Sequence, residues 1–444
     1  MTTAAAAPTT DPAAAPRPLR LRRANREDVV PVPARLADLL PEDHLARRMW
    51  DLVGCLDLAA FYAPIQVVAG GPGAAAIDPR ILVTLWLYAT SQGVTSAREI
   101  DTLRVEHWAY IWICGGVALN YHTLSDFRVD YEAALDELLT QVLAQLAQAD
   151  LVDLTTQAQD GLRVRASAGA ASFRRQPTLE KALAQAQETH TPATPLGAAA
   201  TATRTAAQQA AQERAAQERV VRLAAALAEM PAVQAAKPAA ERDQARVSST
   251  DPEARVMKMP DGGYRPAYNW QFSVELSHLV ITGVAVVNTG SDKAQMEPMV
   301  DQVLERTHHL PRNWLGDGGF VKLTAIENLD AMGVTTFCPV PEPQDETRDR
   351  YVPLPTDAPA VAEWRQRMGT AAGKAMYKQR SLVELPNAQA RSCYGVQQVR
   401  VRGLPKVRCV ALWVALTHNL LIWLRQPHVA TAQPRVSPGA QLAA

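Results

Sequence analysis

The chain has 444 residues, 48% of them hydrophobic, which is long enough for two or three domains with their own cores. Lys and Arg number 45 and Asp and Glu number 45, so a net charge of zero excludes a globally basic nucleic-acid binder and leaves any such contact to local patches. The 5 cysteines, Cys55, Cys114, Cys338, Cys393 and Cys409, form no Cys-x-x-Cys pair and no Cys/His spacing, which excludes a stapled scaffold and a zinc module and fits thiols in a reducing cytoplasm.

Residues 1–30 read as a disordered basic arm. Residues 1–16 are mostly Ala, Thr and Pro without a hydrophobic run, so they are neither a signal peptide nor a membrane span. Arg17, Arg20, Arg22, Arg23 and Arg26 follow, either as a solvated tail or as an arm along phosphates. Residues 31–150 carry helical periodicity throughout. Asp43 is an N-cap type residue before Leu45, Met49, Leu52 and Val53 at helical spacing, Asp78-Pro79 opens a second, largely apolar helix, Thr95 to Leu103 is a capped helix, and Thr123 to Arg128 starts another. Successive short helices joined by glycine-containing turns suit a helix-turn-helix-like DNA-reading domain, with Arg98, Arg104, His122 and Arg128 as candidate contacts; they suit any small helical bundle as well.

Beyond residue 150 the pattern turns mixed. Leu154 to Asp160 is strand-like and Asp160 is read as its end, because Gly161 allows a tight turn or a close approach. Gly161 to Ser167 alternates, placing Arg163 and Arg165 on the face opposite Val164, where they either hold a phosphate beside Asp160 or form a polar strand face; Arg174 and Arg175 are similar candidates. From 176 to 248 the composition shifts to Ala, Gln, Glu and Arg, with an apolar stripe at Val220, Leu223, Leu227 and Met230 and an interruption at Thr189 to Pro195. This reads as a helical hairpin inserted into the second domain.

Paired strands follow at 268–275 and 279–287 with a turn at Ser277-His278, then a helix at 292–306, a strand at 313–316, a helix at 324–332 and a strand at 334–340. Strands first and then alternating helices and strands give an α/β domain over 151–425. Asp317 ends the 313–316 strand and precedes Gly318 and Gly319, while Asp292 and Glu297 read as helix-cap and surface carboxylates and Trp314 as core. Tyr377, Arg380 and Glu384 stand at i, i+3 and i+7, one face of a helix, with Pro386 expected to restart the helix just past Glu384 and leave Arg391 as a separate basic contact. Val396 to Gly403 is strand-like with Arg400 and Arg402 on one face, a basic strip together with Lys406 and Arg408. Residues 409–424, nearly all apolar but for Thr417, His418 and Asn419, read as a buried core helix, and 426–444 as a flexible tail. Two strand-end carboxylates and a later helix carboxylate, Asp160, Asp317 and Glu384, make an acidic cluster for two hard divalent cations.

The chain resembles a bacterial insertion-sequence transposase of the DDE class, the type with a helical insertion between the first and second Asp. The resemblance runs from about Pro31 to Leu424 through Leu40 to Arg47, Asn120 to Arg128, Gln159 to Gly169, Thr250 to Lys258, Asp317 to Lys322 and the Tyr377 to Arg391 segment. That segment matches the family's Tyr-x2-Arg-x3-Glu-x6-Lys signature, with Arg391 where the family has Lys, which keeps the charge and changes the donor geometry. The resemblance implies an RNase H-like catalytic core with a helical insertion, preceded by an all-helical N-terminal DNA-binding domain. It implies Asp160, Asp317 and Glu384 as catalytic ligands of two Mg2+ ions, with Mn2+ as a substitute, and cleavage and strand transfer by in-line attack. Tyr377, Arg380, Arg391, Arg163, Arg165, Arg400 and Arg402 are the candidate DNA contacts. The expected partners are double-stranded DNA, as terminal inverted repeats and target, and further copies of the chain in a dimer or larger synaptic complex, in the cytoplasm at the nucleoid and without a membrane. A catalytically inactive DNA-binding descendant and a general metal nuclease on the same fold are the alternatives.

Overall fold

The structure is a computed structural model and describes residues 35–67, 72, 74–190, 206–345 and 347–426. The basic arm, the tail beyond Gln426 and all but the first two residues of the Thr189 to Pro195 interruption lie outside the described residues; Thr189 and His190 end a helix.

Seven α-helices come first among the described residues: α1 (Leu45–Gly54), α2 (Ala59–Tyr62), α3 (Pro79–Ser91), α4 (Ala97–Glu106), α5 (Trp108–Cys114), α6 (Tyr121–Asp130) and α7 (Glu132–Gln148). Their starts follow local chemistry. Asp78 accepts the Arg80 N–H at 2.8 Å with Pro79 in the first turn, and Asn120 accepts the N–H groups of His122 and Thr123, both at 3.0 Å. The cap of α1 is His44, whose Nδ1 accepts from Ala46 N, rather than the expected Asp43. Arg128 is not a surface contact: it is 6% exposed, donates to Thr95 O at 2.8 Å and lies over the Trp86 ring.

There follow β1 (Thr156–Arg165), β2 (Phe173–Arg174), α8 (Gln176–His190), α9 (Ala206–Ala235), β3 (Val247–Ser248), β4 (Arg255–Lys258), β5 (Tyr264–Glu275), β6 (Ile281–Val287), α10 (Met296–Thr307), β7 (Asn313–Leu315), α11 (Leu323–Ala331), β8 (Thr335–Phe337), α12 (Pro359–Gly369), α13 (Ala371–Lys378), α14 (Glu384–Ser392) and α15 (Leu404–Leu424). The architecture is mixed α/β. The main sheet runs β4, β5, β1, β7, β8, with β6 also on β5; β1 is antiparallel to β5 and parallel to β7, and β7 is parallel to β8. The β5–β6 turn closes on the buried Glu275 carboxylate, which accepts the N–H groups of Ser277, His278 and Val280 at 2.8–3.0 Å. Helices α8 and α9 pack on each other through Leu179, Ala186, Leu223, Ala226 and Met230, so that of the expected stripe Leu223 and Met230 are buried while Val220 and Leu227 are partly buried against them.

Helix α15 joins the two halves. It begins at Leu404, five residues earlier than the apolar run alone suggests, because Pro405 suits a first turn and the N–H groups of Gly403 and Leu404 are accepted by Asp251 and Glu253 at 3.1 and 2.8 Å. By length and composition it is apolar enough to cross a membrane, but 83% of its apolar 18-residue window is buried inside the protein. One hydrophobic core runs from the N-terminal helices through α15 to the sheet, with Trp86, Trp413, Trp270 and Phe272 all at or below 2% exposure. Each such side chain contributes about 1.5–3 kcal/mol by leaving water. The polar residues of α15 dock the sheet edge: Asn419 accepts Ile281 N at 2.9 Å and donates to Ile281 O at 2.8 Å, as a neighbouring strand would.

Candidate active site

Asp160 does not end its strand. It sits in the middle of β1, and Gly161 continues the strand. Side chains alternate across a strand, so Asp160 shares a face with Ala158, Leu162 and Val164, while Gln157, Gln159, Gly161, Arg163 and Arg165 point the other way. Gly161 is required by close approach and not by a turn: a Cβ there would stand 2.6 Å from Asp292 Oδ1 and 2.9 Å from Gln271 Nε2.

Strand β7 brings in the second aspartate. Its parallel register pairs Thr156 with Asn313 and Ala158 with Leu315, and Asp317, two residues past the end of β7, lies within electrostatic reach of Asp160. Asp317 caps the short 3-10 turn Gly318–Phe320, its Oδ1 accepting Gly319 N at 2.8 Å. Behind it Cys338 is buried, and burial pushes its thiol up to about 12, so it is an inert packing group.

The segment from Tyr377 to Arg391 is not one α-helix. Helix α13 ends at Lys378, a 3-10 stretch spans Gln379–Val383, and α14 starts at Glu384. Pro386 falls in the first turn of α14, where no intrahelical donor is missed, so the restart lies at Glu384 and not past it. The 3-10 stretch is directed at Asp160. Arg380 Nη2 donates to Glu384 Oε1 at 2.5 Å, and its Nη1 lies 3.6 Å from Asp160 Oδ1. From α14 Asn387 donates its Nδ2 to Asp160 Oδ2 at 2.9 Å.

Burial pushes the Asp160 carboxyl above its usual range and neighbouring Asp317 adds to this; Arg380, the Gly161 N–H and Asn387 act in the opposite direction. Tyr377 is half-buried within electrostatic reach of Arg380, Asp317 and Glu384, and burial raises its phenol, which therefore stays a donor. Burial lowers the Arg391 guanidinium, partly offset by the attraction of Asp160. Asp160, Asp317, Glu384, Tyr377, Arg380 and Arg391 are thus brought to one place. Glu384 is the outlying member: its side chain is 59% exposed and paired with Arg380. Among the described residues no three Asp, Glu, His or Cys side chains stand close enough as they are to hold a metal ion.

The other candidates lie elsewhere. Arg163 is on the far face of β1, bound to Asp292 Oδ2 at 3.0 Å and Gly290 O at 2.7 Å, so it is not a phosphate ligand beside Asp160. Arg165 is exposed at the end of β1 against the 397–399 backbone, and Arg400 and Arg402 are exposed on the same segment, which alternates like a strand but makes only one bridge, Arg165 to Gln398. Arg408 does not extend this strip: it is held by Glu132 and Asp136 of α7 at 2.7 and 2.9 Å. Two residues escaped the sequence reading. Asn387 had a weak signal, one helical turn after Glu384; Asp292, read as a helix cap, is 7% exposed and lies before α10 in a loop, where no periodicity points to it.

Two family models match the chain: one described as a transposase DDE domain over residues 242–420, the other as a transposase domain over residues 34–130. No curated protein and no solved structure matches.

Proposed function

We propose that this chain, which belongs to the insertion-sequence DDE transposases by both family matches, cuts the ends of its insertion element and joins them to target DNA by in-line attack on phosphodiesters. The observation that carries the reading is the meeting of β1, the end of β7 and the Tyr377 to Arg391 segment around Asp160. The antiparallel β6, β5, β1 and parallel β7, β8 supports an RNase H-like core, and α8 with α9 supports the helical insertion between the two aspartates.

Asp160, Asp317 and Glu384 are the residues that would hold two magnesium ions. Their chemistry fits: all three are oxygen donors, and Arg380 already places a positive charge between Asp160 and Glu384, where a cation is favoured. When bound, the ions supply Lewis-acid stabilisation of the attacking and leaving oxygens. Glu384 has to release Arg380 to join the two aspartates, and its exposed position leaves it free to do so. Asn387 holds Asp160 in place, while Arg380, once released, Arg391 and the protonated Tyr377 offer donors to the scissile strand. Exposed Arg165, Arg400 and Arg402 would grip flanking phosphates, and the N-terminal helices, with Arg98, Arg104 and His122, would read the terminal repeat. Joining two ends calls for at least a dimer, acting in the cytoplasm on nucleoid DNA.

The deciding experiment is cleavage of a labelled duplex carrying the insertion element's end and flank, with Mg2+ or Mn2+, comparing wild type with Glu384→Ala. Metal-dependent nicking at the junction, lost in the variant, is expected. Binding without cutting in both proteins would point to a non-catalytic DNA-binding protein.

A further inference from the structure

A carboxylate that the proposed reaction does not use is buried on the far face of β1. Asp292 has both oxygens occupied: Oδ1 accepts from Asn269 Nδ2 and Gln271 Nε2, both at 2.7 Å, and Oδ2 pairs with Arg163 Nη2 at 3.0 Å. Arg163 also donates to Gly290 O, tying β1 to the loop that carries Asp292. That loop turns into α10 through Ala294 at φ 66°, a left-handed backbone that alanine seldom adopts. The layer continues through Gln159, whose Nε2 donates to Gln271 Oε1 and Gln295 O, both at 3.0 Å.

Asp292 meets the chain beside both aspartates. A Cβ on Gly161, the residue after Asp160, would stand 2.6 Å from Asp292 Oδ1; a Cβ on Gly319, two residues after Asp317, would stand 3.4 Å from Asp292 Oδ2 and 2.9 Å from Asp317 Oδ1. Glycine at both positions lets one carboxylate wedge against β1 and against the Asp317 turn together. We propose that Asp292, tethered by Arg163, is a positioning residue that sets the separation of Asp160 and Asp317. The inference rests on the reading of those two aspartates as metal ligands. An ionised carboxylate suits the task because it accepts from all three donors at once. Asparagine would turn one oxygen into a donor facing either Arg163 or the two amides.

The test is calorimetric titration of Mn2+ into the full-length protein, with gel-shift binding and cleavage of the end duplex measured alongside. Asp292→Asn should keep its circular dichroism and its affinity for end DNA, yet bind Mn2+ about 10–100-fold more weakly, the usual effect of disturbing a residue that orients metal ligands. Glu297→Gln, a carboxylate on α10 that accepts from Asn328, should match wild type. Arg163→Met should reproduce the loss, and Arg163→Lys, which keeps a cation, should recover part of it. Asp292→Asn binding Mn2+ and cutting like wild type would overturn the proposal. Should that variant not fold, equal Mn2+ affinities in Arg163→Met and Arg163→Lys would overturn it, and a weaker Arg163→Met would support it. Wild type that neither binds Mn2+ nor cuts would overturn the metal reading itself and this inference with it.

Discussion

Asn387 offers the sharpest single perturbation of the candidate site. It is 5% exposed and its Nδ2 donates to Asp160 Oδ2 at 2.9 Å, whereas the nearest cation, Arg380, stands 3.6 Å from the other oxygen. The amide is therefore the direct support of a carboxylate that burial disfavours in its charged form. A hydrogen bond to a charged group contributes about 1.5–3 kcal/mol net. At about 1.36 kcal/mol per tenfold change, Asn387→Ala should slow cleavage by roughly ten- to a hundredfold. Alanine is the better helix former, so α14 should survive, and the thermal midpoint should fall by no more than the lost hydrogen bond accounts for. The assay is single-turnover cleavage of an end duplex across a magnesium series, with the midpoint as control. The reasoning fails if Asn387→Ala cuts within twofold of wild type at every magnesium concentration. Asn387→Asp should be no better, because two carboxylates at that distance cannot both ionise.

Further outcomes follow from the same geometry. Because burial raises the Asp160 carboxyl, a cation beside it should stabilise the fold: Mg2+ at about a hundred times its dissociation constant should add about 2.7 kcal/mol, seen as a raised thermal midpoint and absent in Asp160→Asn. His418 is buried in α15 with Nε2 2.8 Å from Leu279 O, and burial lowers its pKa from 6.5 to about 4. The unfolded chain then takes up a proton that the folded one refuses, so stability is full above pH 6.5 and falls through the window down to pH 4, by up to about 3 kcal/mol. Denaturant unfolding at several pH values should show this slope, and His418→Gln should flatten it. Gly161→Ala, with its Cβ forced against Asp292 and Gln271, should lose about 1–3 kcal/mol of stability by overpacking, measured in the same way.

The sequence by itself determined what local chemistry controls. The N-cap and proline at Asp78-Pro79, the hydrophobic stripe of α9, the β5–β6 hairpin and the order of strands and helices between residues 264 and 337 are written in short-range pattern, and each forms close to its expected place. The glycines after the aspartates and the spacing of Tyr377, Arg380 and Glu384 single out three candidate carboxylates in the sequence, but that spacing is carried by a 3-10 stretch and not by one helix face. Only the tertiary structure decided how these residues face one another. Strand alternation places Arg163 opposite Asp160, a fact that needs the strand to run through Gly161, and sequence alone does not show this because a glycine wanted for close approach looks the same there as one wanted for a turn. Arg128, Arg408 and Asp292 looked like surface charges until long-range partners buried or bound them. Periodicity reports which face of an element is apolar; it carries no information about a carboxylate held by donors from distant strands, because that arrangement exists only once the sheet has closed.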